Sequence, residues 1–192
     1  MQKKSNILLI RHAQSYYNIC EIEAVKEKKD FLLFRYRPDL IDCSLSEEGH
    51  QQAITASKIV QEEDVKYVFA SPLRRALQTT RLLFESHKNK PKVIVLPLLR
   101  EHLSTSCDIP DNLDMLMGEF PDYDFSLFSE YEDKKLWIIH TLQDEAVKKE
   151  LLVAYNEEFL KLMDNKLSFS EYILEKMKAL HPKQFESRVN LR

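Results

Sequence analysis

The sequence predicts an α/β domain of three layers (α/β/α), in which a mostly parallel central sheet carries helices on both faces. Apolar runs of strand length, at residues 7–10, 67–70 and 93–96, alternate with segments of helical periodicity. The chain has 192 residues and an apolar fraction of 44%, enough for one sizeable core. We therefore expect residues 1–192 to form a single domain.

The first of these strands ends in charge. The run Ile7-Leu8-Leu9-Ile10 is followed directly by Arg11 and His12. Open α/β sheets bind their ligands at the carboxyl ends of the strands. Arg11 and His12 are therefore either the first solvated residues after a core strand, or a phosphate site with Arg11 as clamp and His12 as nucleophile. The stretch alone leaves both interpretations open.

Two helix starts follow in the first half of the chain. Ser46 is the expected N-cap of a helix with acidic residues in its first turn. Ser71 and Pro72 predict the cap and first position of a second helix, from whose first turn Arg74 projects. The third strand leads to Glu101, so the topology gathers the charged residues of the strand ends at one edge of the sheet.

The second half of the chain is predicted to be a lid followed by helices. Residues 107–135 are acidic and aromatic, and we expect an ordered, lid-like insertion packed on the body. The run 136–140 is either a fourth strand that ends at His140 or a buried helical turn. A helix is predicted over 142–165, and a capping box between Ser168 and Glu171 predicts another, through residue 180.

Composition excludes several classes of function. The net charge of -3 argues against a nucleic-acid partner. The chain holds two glycines, too few for a glycine-rich phosphate loop. Its three cysteines are widely spaced, which predicts no disulfide framework, no metal site and a cytoplasmic setting. No apolar run approaches the length of a membrane span, so we expect no membrane partner.

Four blocks, in order, resemble the histidine phosphatase superfamily, whose fold is phosphoglycerate mutase-like. The block Arg-His-Ala-Gln-Ser at 11–15, with Asn18 beyond it, resembles that family's RHG signature, with Ala13 in place of glycine. Residues 42–53 are similar to its D-x-P-L-T-x-x-G-x-x-Q-A block, and residues 71–80 to its S-P-x-x-R-A-x-x-T block. Leu-Arg-Glu at 99–101 matches the segment that supplies its acid.

The resemblance implies a phosphatase that acts on a phosphorylated small molecule or a phosphoprotein and needs no cofactor. His12 would form a phosphohistidine, while Arg11 and Arg74 clamp the phosphoryl oxygens. Glu101 would protonate the leaving oxygen and then activate water. The resemblance also implies hydrogen bonds from Asn18 and Ser71 to phosphate or substrate. We assign the second clamp to Arg74, and Arg75 is the alternative.

One part of the family pattern is missing. The family completes its phosphate pocket with a second histidine in a V-x-S-H-G-like block, and the sequence contains no such block. We expect that the C-terminal strand carrying this histidine is absent from the chain, with His140 as a substitute in the alternative. A catalytically impaired protein, which binds phosphate or protein partners on the same fold, is therefore the second functional hypothesis.

Overall fold

The computed structural model of the chain describes residues 7–30, 32–131, 134–154 and 168–180. Its α-helices are α1 Tyr16–Lys26, α2 Leu32–Arg35, α3 Glu47–Val60, α4 Arg74–Phe84, α5 Leu113–Glu119, α6 Trp137–His140, α7 Glu145–Ala154 and α8 Phe169–Leu180. Its strands are β1 Tyr67–Ala70 and β2 Lys92–Val95. Short 3-10 turns lie at Pro38–Leu40, Pro97–Leu99, Ser106–Asp108, Ser126–Glu130 and Lys134–Leu136.

The two strands form a parallel pair joined by a helix. Val68 lies opposite Val93 and Ala70 opposite Val95. Helix α4 makes the connection from β1 to β2 and packs against both α3 and β1. A parallel pair needs such a crossover, because a tight turn cannot bring the chain back in the same direction. The α/β class with a parallel sheet is as the sequence predicts.

The predicted opening strand is wrong. Residues 7–10 form no strand, and β1 and β2 are the only strands in the ranges that the structure describes. The exposed fractions of the four side chains run from 48% for Ile10 to 95% for Leu9. An apolar run becomes a strand only where a neighbouring backbone accepts and donates its hydrogen bonds. Apolar composition shows that a segment suits a sheet, but it does not supply that neighbour.

Two of the three predicted helix caps are confirmed. The Ser46 hydroxyl accepts the Gly49 N–H at 3.0 Å at the start of α3. Ser168 and Glu171 form the predicted capping box of α8, with the Ser168 N–H 2.9 Å from the Glu171 carboxylate. Ser71 does not cap α4, because that helix begins at Arg74 and, among the described residues, the Ser71 hydroxyl accepts the N–H of Leu73 alone, at 3.4 Å.

The second half of the chain is helical. Residues 137–140 form α6, with Trp137, Ile138 and Ile139 each no more than 2% exposed, so the fourth strand is wrong and the buried helical turn is correct. The helix predicted over 142–165 is observed as α7, and residues 155–165 lie outside the described range. The predicted C-terminal end of that helix, at residue 165, therefore lies outside the described residues as well. Among the described helices, none has both the length and the apolarity to cross a membrane.

Described residues of the predicted insertion at 107–135 contribute to the main core beside the sheet. Leu116, Phe120 and Phe128 are at most 1% exposed and belong to the main core with Leu77 and Val95. Asp124 extends the pairing of β2, because the Val95 N–H donates to the Asp124 carbonyl at 2.9 Å. This segment therefore closes over the core formed by α4 and β2, and its N-terminal part meets the site described below.

Candidate active site

The loop that carries His12 is fastened to the start of α3. Ser15 forms an isolated antiparallel bridge with Leu45. The Ser46 N–H donates to the Gln14 carbonyl at 2.9 Å, and the Gln14 N–H donates to the Gln52 side chain at 3.0 Å. Gln14 and Ser15 are thus held by backbone contacts to residues 45 and 46 and by the Gln52 side chain, which restricts where the neighbouring His12 lies.

Gly49 makes this contact possible. A Cβ atom at Gly49 would lie 2.0 Å from the Gln14 carbonyl oxygen, well inside van der Waals contact. The obstacle is backbone, which cannot rotate away as a flexible side chain does. A glycine is therefore required where α3 passes the His12 loop.

The hydrogen bonds of His12 set its tautomer. Nδ1 lies 2.7 Å from the Ala13 carbonyl oxygen, which can only accept, so Nδ1 carries the proton. Nε2 therefore keeps its lone pair in the neutral ring, and it accepts a hydrogen bond from Arg75 Nε at 3.2 Å. A neutral imidazole with a bare Nε2 is the form that attacks phosphorus.

The guanidinium of Arg75 is fixed on its far side. Its other nitrogens donate to the Cys107 carbonyl and, at 3.3 Å, to Asp108 Oδ1. Arg75 is only 4% exposed and Asp108 3%. The second oxygen of Asp108 accepts from the N–H groups of Ser104 at 3.1 Å and Thr105 at 2.9 Å. A buried ion pair with its remaining acceptors satisfied holds Arg75 in one orientation toward His12.

The surroundings of His12 favour its neutral form. Burial lowers the pKa of His12 from its ordinary value of 6.5, and the positive charges of Arg75 and Arg11 lower it further. The hydrogen bond to Ala13 and the negative charge of Glu101 act in the opposite direction on this pKa and are outweighed.

His12 is accordingly expected to titrate below pH 6.5. A protonated ring has no free lone pair, so the nucleophilic reactivity of Nε2 should be retained at pH 7 and lost as the pH falls through the pKa of His12. An NMR titration of the labelled ring measures this pKa. A midpoint at or above the ordinary value would contradict the burial argument.

Arg74 does not lie where the sequence interpretation placed it. Its guanidinium pairs with Asp111 at 2.8 Å and with Glu119, and it lies 3.9 Å from Asp42. Consecutive residues of a helix point about 100° apart, so Arg74 and Arg75 cannot both face His12. The sequence motif also indicates Arg75: when S-P-x-x-R-A is aligned from Ser71, its arginine corresponds to Arg75 and not to Arg74.

Asp42 is the centre of the cluster around Arg74. It is 2% exposed, and its carboxylate accepts the N–H groups of Arg74 at 2.8 Å and Asp111 at 3.0 Å. Burial raises the pKa of Asp42 to about 6, against the lowering effect of these donors. Asp42, which is distant from α4 in sequence, thus caps the N-terminus of that helix. It also connects the helix to the insertion through Asp111. A cavity of about 520 Å³ opens beside Asp42 and Arg74, and His12 does not line it.

Arg11 and Glu101 are both exposed and both lie near enough to His12 for their charges to affect its pKa. Arg11 has no recorded hydrogen bond or ion pair to the residues that the structure describes. Glu101 accepts the His102 N–H at 3.0 Å through one oxygen.

The other predicted binding residues have local partners. Asn18 accepts the N–H and the hydroxyl of Ser15, at 3.0 and 3.1 Å, in the capping box of α1. Ser71 is half-buried beside the start of α4. His140 is exposed, and its ring stacks on Tyr131 with centroids 6.0 Å apart. Within the described residues, no hydrogen bond joins His140 to His12 or to Arg75.

The described residues bring together no group of three or more histidine, cysteine, aspartate or glutamate side chains that would hold a metal ion. The arrangement at His12 is one of a neutral imidazole, a fixed guanidinium and a nearby exposed cation. A sequence model of the histidine phosphatase superfamily (branch 1) matches residues 7–105, which contain all of these groups.

The chain belongs to the histidine phosphatase superfamily. Similar members include "Fructose-2,6-bisphosphatase TIGAR B" of Danio rerio, 33% identical over 50% of this chain and 33% of its own. A 2,3-bisphosphoglycerate-dependent phosphoglycerate mutase of Streptococcus mutans is 52% identical over 23% of this chain and 20% of its own. "Phosphoglycerate mutase-like protein 1" of Arabidopsis thaliana is 28% identical over 71% and 57%, respectively. The chain thus spans between a fifth and three fifths of the length of these superfamily members.

Proposed function

We propose that this histidine phosphatase relative hydrolyses phosphomonoesters through a phosphohistidine at His12. The observation that carries the proposal is the pair of contacts at the His12 ring: Nδ1 lies 2.7 Å from the Ala13 carbonyl oxygen, which assigns the proton to Nδ1, and Nε2 lies 3.2 Å from Arg75 Nε. A nucleophile in the reactive tautomer, next to a cation that stabilises a phosphoryl group, is the minimum that phosphohistidine chemistry needs.

The reaction has two steps. In the first, Nε2 of His12 bonds to phosphorus while the bond from phosphorus to the ester oxygen breaks, and Glu101 donates a proton to that oxygen. In the second, Glu101 takes a proton from water, the water oxygen bonds to phosphorus, and the nitrogen–phosphorus bond breaks. Arg75 and Arg11 stabilise the charge on the phosphoryl oxygens in both transition states.

The substrate is a phosphorylated small molecule or a phosphoprotein. The names of the similar superfamily members point to sugar and glycerate phosphates as the first small molecules to compare. We place the protein in the cytoplasm on the strength of its three free thiols, one of them half-buried and two buried.

The proposal is tested with the full chain and 4-nitrophenyl phosphate, comparing wild type with His12→Asn and His140→Ala. We expect His12→Asn to lower the rate by about a thousandfold or more, because no other group supplies the nucleophile. His140→Ala is expected to retain the wild-type rate. An acid-labile phosphoenzyme should be trapped from wild type and from His140→Ala only.

Equal rates in wild type and His12→Asn would contradict the proposal. An equal loss in both variants would instead show that His140 takes part in the site. A phosphate-binding protein without turnover is the second candidate, favoured by the exposed position of His140, which forms no hydrogen bond to His12 or Arg75 within the described residues. That candidate predicts a higher Tm with vanadate and no 4-nitrophenol release.

A further inference from the structure

A single buried hydroxyl links the loop of His12 to the helix of Arg75. Thr79 lies one turn after Arg75 in α4 and is 5% exposed. Its Oγ1 accepts the Ala13 N–H at 3.1 Å and donates to the Arg75 carbonyl at 2.7 Å. The Thr79 hydroxyl thus accepts one hydrogen bond and donates another, and the two bonds connect the His12 loop to α4.

The bond to Ala13 bears directly on the nucleophile. The Ala13 N–H belongs to the peptide bond between His12 and Ala13. The Ala13 carbonyl oxygen accepts a hydrogen bond from Nδ1 of His12, at 2.7 Å. The next peptide is held by Gln52, which accepts the Gln14 N–H at 3.0 Å. Thr79 and Gln52 therefore fix the two peptide planes on either side of Ala13, from α4 and α3 respectively.

Thr79 is the stronger of these two supports. The side chain of Gln52 is exposed, so water competes for its hydrogen bond, whereas the bond that Thr79 accepts is partly buried. Thr79 also ties the two backbones together, because it accepts the N–H of Ala13, the residue next to His12, and donates to the carbonyl of Arg75.

We propose that Thr79 is a positioning residue for phosphoryl transfer, which holds the Ala13 peptide so that His12 keeps its Nδ1–H tautomer and aims Nε2 at the phosphoryl site. The inference rests on the proposed function for its kinetic consequence. Its structural consequence, the tautomer of His12, does not depend on turnover.

The test uses Thr79→Val, Thr79→Ser and Thr80→Val in the full chain. Thr79→Val keeps the shape and removes the hydroxyl, while Thr79→Ser restores it. Thr80 is the matched control: it is the next residue of α4, it is 8% exposed, and its hydroxyl has no recorded bond to the described part of the His12 loop. Circular dichroism and Tm report whether each variant is folded.

Two readouts are compared: the ring nitrogen NMR spectrum of labelled His12, assigned with His12→Asn, and the rate of phosphoenzyme formation. Thr79→Val is expected to mix the two neutral tautomers and to slow phosphoenzyme formation by about 10- to 100-fold. Thr79→Ser should retain the single tautomer and most of the rate, and Thr80→Val should match wild type in both.

Thr79→Val with an unchanged tautomer and an unchanged rate would overturn the proposal. A loss of rate in Thr79→Val that the serine variant does not rescue, with the tautomer unchanged, would also overturn it. If no variant, wild type included, forms a phosphoenzyme, the proposed function fails. A tautomer shift confined to Thr79→Val would then still support the positioning role.

Discussion

Arg75→Lys is expected to lower kcat/KM for 4-nitrophenyl phosphate by about 100- to 1000-fold, whereas Arg74→Lys should stay within about threefold of wild type. A lysine at 75 keeps the charge, but its single nitrogen cannot contact His12, the Cys107 carbonyl and Asp108 together, as the guanidinium does. Arg74 contacts only acidic groups of the Asp42 cluster and the insertion, among the partners recorded for its side chain.

Steady-state kinetics on the two folded variants, with their Tm values, measure this difference. Both substitutions exchange the same residue types at neighbouring positions of α4, so a general effect on that helix would appear in both. A large loss in Arg74→Lys with near-normal activity in Arg75→Lys would restore the original assignment of the clamp.

Gly49→Ala is expected to destabilise the protein by about 2 kcal/mol or more and to abolish most phosphoenzyme formation. The added methyl group would meet the Gln14 carbonyl at 2.0 Å, so the backbone of residues 13–15 must move, and His12 with it. A substitution of Gly by Ala within a helix otherwise stabilises it by up to about 1 kcal/mol, and the clash outweighs this gain.

Gly118→Ala provides the matched control. Gly118 lies within α5, and a Cβ atom there would have no heavy atom within 4 Å. We therefore expect Gly118→Ala to be neutral or stabilising by about 0.5–1 kcal/mol in urea unfolding, with normal activity. Equal effects of the two substitutions would show that the loop yields to the clash at little cost.

Local patterns in the sequence were sufficient for several elements. The caps at Ser46 and Ser168 depend on residues three positions apart, and the apolar runs that became β1 and β2 lie on either side of the α4 pattern. The run at 7–10 failed, because pairing requires a partner strand that composition does not specify. Similar apolar runs therefore form strands at β1 and β2 but exposed chain at residues 7–10.

For the site, too, some residues could be found from the sequence and others only from the structure. His12 and the motif that contains Arg75 can be found from sequence blocks, although the sequence interpretation took the neighbouring Arg74. The hydrogen bond from Arg75 to Asp108 could not be predicted, because the two residues are 33 positions apart and are brought together only by the tertiary fold. Asp42 was likewise part of a recognised block, but its capping of a helix 32 residues away is visible only in three dimensions.

The bond from Arg75 to the bare nitrogen of His12 has a consequence for ligand selection. Arg75 Nε donates at 3.2 Å to the Nε2 lone pair that, under the proposed function, attacks phosphorus. Binding is therefore an exchange, in which an incoming oxygen must replace the imidazole as acceptor before the nucleophile is released. Phosphoryl oxygens, being anionic, make that replacement readily, and a neutral ester does not. Under the proposed function, His12 would therefore become available for attack with anionic ligands and not with neutral ones.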